Sequence, residues 1–198
     1  NQNLVGDRAL PASRTTPESY ELQALLRTMA DAGCTHVVME ASSIALDQRR
    51  TYGIRFAAGI FTHLTEDHLD YHGNMEAYRA AKGLLFRQTD LAILNLDDEA
   101  GRRYAETVPC PVFTYSERKD RADLVAKNLR LYPSHVEFDA VARNAIGRVH
   151  LPIPGGFSIY NALGVIACAL NLGVGLDRII TALRSAPGAK GRVEVVPV

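Results

Sequence analysis

Two short polar segments and one lysine carry the residue types from which this chain could build a reaction site. The first segment is Met39-Glu40-Ala41-Ser42-Ser43, which closes an apolar run beginning at His36. The second is Thr62-His63-Leu64-Thr65-Glu66-Asp67-His68-Leu69-Asp70, which closes a run beginning at Phe56. If both runs are strands of one open parallel sheet, their carboxyl ends share an edge, and ligands of such sheets bind beyond that edge. A carboxylate from Glu40 and an imidazole from His68 then meet there. Oxygen ligands with at most one imidazole suit magnesium better than zinc. The same residues also fit a solvated strand-end carboxylate and an acidic loop that caps the next helix. Lys82 lies four residues after Tyr78 and three before Leu85, on an apolar helical stripe. There it either snorkels, with its stem buried and its amine in water, or presents a desolvated amine of depressed pKa.

These residues need a frame. Leu22, Leu25, Leu26 and Met29 recur at helical spacing. The helix is expected to be capped by Thr16, with Pro17 at its first position and Gly33 at its end. His36–Glu40 and Phe56–Leu64 predict strands, and Met75–Phe86 a helix. A strand at Leu91–Leu96 precedes a helix opening at Asp97-Asp98-Glu99, and Val112–Tyr115 predicts another strand. From Leu124 to Pro152 the texture changes to three alternating segments separated by short turns, an antiparallel meander. Helical period returns over Tyr160–Leu172 and Leu176–Leu183. The fold class is therefore α/β: a mostly parallel sheet with helices on both faces, plus a small antiparallel sheet. Residues 1–198 are expected to form one domain with the meander at 124–152 inside it.

The chain has 198 residues, of which 47% are apolar and 22% charged, so a packed core is within reach. Lys+Arg and Asp+Glu both number 22, and no basic run exceeds two residues. Bulk charge thus gives no support for a nucleic-acid or membrane partner. Cys34, Cys110 and Cys168 lie far apart and form no C-x-x-C, which argues against a zinc ribbon or a disulfide scaffold. Cys34 and Cys168 are expected in the core, and a reducing cytoplasm fits. The longest apolar stretch, Ala162–Leu172, is too short to span a bilayer.

In order along the chain stand Thr15-Thr16-Pro17-Glu18-Ser19, His36-Val37-Val38-Met39-Glu40-Ala41-Ser42-Ser43, Asp67-His68-Leu69-Asp70-Tyr71-His72-Gly73 and Ala80-Ala81-Lys82. Phe157-Ser158-Ile159-Tyr160-Asn161 and Gly191-Arg192-Val193-Glu194 follow. Together they closely resemble the central, ATP-binding domain of the Mur ligases, in the branch that adds the third amino acid. The D-H-L-D-Y-H-G run with a downstream A-A-K is the most specific part. The resemblance implies an ATP-dependent amide ligase of peptidoglycan precursor synthesis. It would add diaminopimelate or lysine to UDP-N-acetylmuramoyl-L-Ala-D-Glu through an acyl phosphate, with Mg²⁺ as cofactor. It implies that Glu40, His68 and Lys82 hold the metal, with His68 and Lys82 catalytic and Lys82 carrying a carbamate. It implies ATP contacts from Asn161 and Arg192, and contacts to the muramoyl peptide from Thr15, Thr16, Ser42, Gln48 and Arg50.

Three positions depart from the family's usual residues: Ile44, His63 and Ser158. No G-x-x-x-x-G-K-[ST] phosphate loop occurs in the 198 residues. The chain by itself is therefore expected neither to hydrolyse ATP nor to join amino acid to peptide, and to self-associate or be marginally stable. Two other functions fit some of these residues: a non-catalytic module that binds a nucleotide-sugar peptide, and a ligase like folylpolyglutamate synthase. Thr15-Thr16-Pro17 and Ser42-Ser43 with Gln48 favour the muramoyl substrate.

Overall fold

The computed structural model describes residues 2–188, in which strands and helices alternate along much of the chain. The chain divides into two units. One comprises the chain up to Phe56 together with Thr65–Gln88; the other comprises Ala57–Leu64 and the chain from Thr89 onward.

The second unit is built on one sheet of six strands in sequence order: β3 (Gly59–Phe61), β4 (Ala92–Asn95), β5 (Val112–Ser116), β6 (Leu124–Leu131), β7 (Val136–Ala142) and β8 (Ala145–Leu151). β3 to β6 pair in parallel, and β6 to β8 in antiparallel. Helix α5 (Glu99–Thr107) follows β4, while α6 (Phe157–Asn171) and α7 (Leu176–Leu183) follow β8. Successive strand residues face opposite ways, and that alternation sorts the helices. Phe61 meets Tyr104 of α5 edge-on at 5.1 Å, whereas its neighbour Ile60 lies against Gly164 of α6. The two helices therefore cover opposite faces. On the α6 side, Ile93, Tyr115, Phe138, Ile159, Leu163 and Ile166 are fully buried in one core.

Polar side chains tie the carboxyl ends of the parallel strands together. Asn95 donates to the Thr62 carbonyl at 2.7 Å. Tyr115 donates to the Phe61 carbonyl at 2.9 Å. Asp98 caps α5 by accepting from the Ala100 N–H at 2.8 Å, and its other oxygen accepts from the Leu64 N–H at 2.9 Å. Asp97 accepts from Ser116 Oγ at 2.7 Å and from the Glu117 N–H at 2.8 Å.

The first unit is mainly helical. Its strands β1 (Gln2–Val5) and β2 (Arg8–Pro11) form an antiparallel hairpin. Its helices are α1 (Ser19–Asp31), α2 (Ser43–Asp47), α3 (Leu69–His72) and α4 (Met75–Gly83), the last running on into a 3₁₀ turn at Leu84–Gln88.

The structure corrects four local expectations. His36–Glu40 is not a strand: among the described residues no neighbour supplies a ladder, and Val38 is 97% exposed. Thr16 does not cap α1. The cap position is Glu18, whose N–H donates to the Glu21 carboxylate at 3.3 Å. The meander at 124–151 is no separate sheet but continues the parallel one, and the separate antiparallel pair is the hairpin at 2–11. Cys34 and Cys168 are half-buried, not core, although Cys168 packs against the core of the second unit.

Gly101 marks the tightest helix–strand approach. A Cβ there would lie 1.9 Å from the Asn95 carbonyl oxygen, a backbone atom that cannot rotate away. Gly101→Ala should therefore lower unfolding free energy by about 1–3 kcal/mol, the usual cost of overpacking. An unchanged urea midpoint would show that α5 shifts freely on the sheet.

Candidate functional site

Several of the expected site residues in the first unit are joined by short contacts. The contacts start at Thr16, which is buried. Its hydroxyl donates to the Glu40 carbonyl at 2.9 Å and accepts from the Ser42 N–H at 3.0 Å. One hydroxyl thus satisfies both sides of a loop that has no strand partner to do so, which buried backbone groups require. Ser42 then caps α2, accepting from the Ala45 N–H at 3.2 Å. The next hydroxyl, the buried Ser43 Oγ, lies 2.9 Å from His72 Nε2.

His72 leads to Tyr78. The two rings stack at 5.2 Å, and His68 meets Tyr78 edge-on at 6.0 Å. The Lys82 amine sits over the same Tyr78 ring, 5.2 Å from its centre. Tyr78 and Lys82 are one helical turn apart on α4, which Asn74 caps by accepting from the Ala77 N–H at 2.9 Å. His68, Tyr78 and Lys82 are therefore brought together. Burial pushes the Lys82 amine below its ordinary value of 10.5, and the nearby Asp67 carboxylate opposes that fall. Burial likewise raises the Tyr78 hydroxyl, with Asp67 adding to it.

His68 occupies the left-handed region, at φ 54°. That conformation costs a non-glycine residue roughly 1–2 kcal/mol. It is held by Asp67, whose carboxylate accepts the His68 N–H at 2.8 Å, and it starts α3. Nε2 of His68 lies 3.5 Å from the other Asp67 oxygen, and the ring is 43% exposed. The Glu40 carboxylate is exposed and makes no hydrogen bond or ion pair with the described residues. The donors thus include an uncommitted carboxylate and a half-exposed imidazole. A protonated Lys82 cannot join them on a cation, whereas a carbamate there would add oxygen. By donor chemistry alone, a carboxylate, a carbamate and one imidazole fit magnesium.

Arg50 is the second cation of this unit's expected site. Its side chain is 11% exposed and 3.3 Å from Glu18. It donates to the Thr16 carbonyl at 3.1 Å and, through Nε, to Gln48 Oε1 at 3.0 Å. Its pKa is lowered, first by burial and then by Arg14. Thr15 is exposed and makes no side-chain hydrogen bond with the described residues; it lines a cavity of about 300 Å³ together with Glu40, Leu26 and Met29. In the second unit, Asn161 is exposed on α6 with no side-chain hydrogen bond to the described residues. Arg192 lies outside the described residues.

Sequence reasoning assigned no site role to His72 or Tyr78. Tyr78 resembled any core aromatic on a helical stripe. The four-residue spacing of His68 and His72 was the available signal.

Comparison with known proteins places the chain in a family. The family described as the Mur ligase middle domain matches residues 2–169. The UDP-N-acetylmuramoyl-L-alanyl-D-glutamate–2,6-diaminopimelate ligase 1 of Clostridium acetobutylicum is 40% identical over 98% of this chain and 40% of its own length. The corresponding ligase of Alkaliphilus metalliredigens is 42% identical over 98% of this chain and 40% of its own length. A solved structure of such a diaminopimelate ligase superposes with a TM-score of 0.87 at 30% identity, covering 98% of this chain and 42% of that one. MurF from Acinetobacter baumannii superposes at 0.66 and 25% identity, over 72% of this chain and 32% of that one. The chain thus spans about 40% of the length of the curated relatives it matches. By the extent of the family match, the chain belongs to the Mur ligase family, through its middle domain.

Proposed function

We propose that this chain is the middle domain of an ATP-dependent ligase that adds diaminopimelate to UDP-N-acetylmuramoyl-L-Ala-D-Glu. The observation that carries the reading is the cluster of His68, Tyr78 and Lys82, with the amine lowered by burial, in a chain similar to ligases named for that reaction. The choice of diaminopimelate over lysine rests on the names of those relatives.

In this reaction the glutamyl carboxylate attacks the γ-phosphorus of ATP. The bond to the bridging oxygen breaks, ADP leaves, and an acyl phosphate remains. The diaminopimelate amine attacks the acyl carbon; inorganic phosphate departs and the nitrogen loses a proton. Glu40, His68 and the carbamate of Lys82 would hold Mg²⁺, which when bound neutralises phosphate charge. Lys82 is suited to the carbamate because only a neutral amine adds to carbon dioxide, and burial favours the neutral form. Thr15, Gln48 and Arg50 meet the muramoyl peptide. Thr16 and Ser42 meet it too, and their hydroxyls also hold the local backbone, Thr16 between Glu40 and Ser42 and Ser42 as the cap of α2. Asn161, with Arg192, contacts ATP. The direct test is phosphate release by the natural protein. It should require ATP, the muramoyl dipeptide and diaminopimelate together, and release without the dipeptide would overturn the assignment.

Two substitutions probe the roles separately. If Lys82 works as a carbamate, stripping carbon dioxide and bicarbonate from the buffer should lower kcat, and adding bicarbonate should restore it. Lys82→Arg, which cannot form a carbamate, should lose on the order of 10²-fold in kcat and not respond to bicarbonate. A wild-type rate independent of bicarbonate would remove the carbamate. Arg50→Ala should raise KM for the muramoyl peptide by an amount equivalent to about 1.5–3 kcal/mol, the worth of a charged hydrogen bond. KM for ATP should stay put; the reverse pattern would mean that Arg50 serves the nucleotide.

A further inference from the structure

We propose that His135, Glu137 and His150 form a binding site for a divalent transition-metal ion of the zinc type, on the antiparallel part of the second unit. It is composed of none of the residues assigned to the ligase reaction. Among the described residues this is the one group in which three His, Cys, Asp or Glu donor atoms lie within 4.8 Å of one another. The backbone brings them together. Glu137 on β7 and His150 on β8 are direct ladder partners, so their side chains share a face. His135 stands two residues before Glu137, just ahead of β7, and period two returns it to that face.

The donor atoms already point inward. Glu137 Oε1 is 3.4 Å from His150 Nδ1 and 4.0 Å from His135 Nε2. Tetrahedral zinc with bonds near 2.0–2.1 Å needs ligand atoms roughly 3.3 Å apart, so closure requires only small side-chain rotations. Surrounding groups fix the atoms in use. Ser134 Oγ lies 3.0 Å from His135 Nδ1, which leaves Nε2 for the centre. Arg148 donates to Glu137 Oε2 at 3.0 Å and to Asp139 at 3.1 Å, which leaves Oε1 for the centre. Tyr132 stacks on the His135 ring at 4.3 Å and holds its plane. Partners of this kind orient metal ligands in general. Two imidazoles and one carboxylate form a borderline donor set that favours zinc over magnesium. The three side chains are 23%, 25% and 42% exposed for His135, Glu137 and His150, so the ion can enter from solvent and keep a water as fourth ligand.

The test is a zinc titration of the tag-free protein against a chromophoric chelator. Wild type should bind one equivalent that the double variant His135→Gln/His150→Gln loses. His68→Gln, which removes a donor of the first unit, should retain it. Glu137→Gln should bind at least ~10-fold more weakly. Cobalt loaded into wild type should give the intense visible absorption of a four- or five-coordinate ion, a readout that needs no variant to fold. Equal zinc stoichiometry and affinity in wild type and the double variant would overturn the site. So would a cobalt spectrum with only weak octahedral bands, which would leave the cluster as a hydrogen-bonded stack.

Discussion

Burying the Tyr78 ring positions three polar side chains together, because His72, His68 and Lys82 all rest against it. An aromatic ring of this size removes on the order of 150–250 Å² from water, which makes it a firmer anchor than any single surface hydrogen bond. Its face and its edge then set the stations around it. The stacked His72 reaches Ser43, and so ties α2 to α4. The amine of Lys82 loses hydration as it rides over the ring, and the π-face returns only part of that loss. The same packing therefore both fixes the amine and favours its neutral form.

A second constraint is the buried hydroxyl of Thr16. Residues 36–40 run without a ladder among the described residues, so their polar backbone needs partners from elsewhere. Thr16 serves Glu40 and Ser42 at once, and Arg50 in turn holds the Thr16 carbonyl. The residues expected to meet substrate are thus also the ones that keep this loop in shape. Binding and local order are not separable there.

Much of the second unit was legible from local pattern. Asp98 ahead of an amphipathic helix, the β4 apolar run and the alternating meander each announce themselves within a few residues. The first unit was harder. A strand assignment for His36–Glu40 rests on apolar residues alone, and a strand needs a neighbour that no local window supplies. Thr16 before Pro17 satisfies every local rule for a cap, yet its partners lie 24 and 26 residues away. In the candidate site, the unusual residue types could be picked out one at a time. Tyr78 could not, because its role comes from what surrounds it rather than from what it is. The left-handed backbone of His68 was equally hidden, since nothing in its type demands it.

The route of the chain has a consequence for how the protein is made. It leaves the second unit after Leu64, completes the first with Thr65–Gln88, and only then returns to lay down β4. Neither unit is a continuous stretch of sequence. Among the described residues, β3 pairs only with β4, and the chain makes Thr65–Gln88 between the two. The helices of the first unit close the intervening loop in the meantime, which reduces the entropy still to be lost when β3 and β4 meet. The segment that carries Lys82 is therefore synthesised before β4, and the pairing of β3 with β4 closes a loop that contains it.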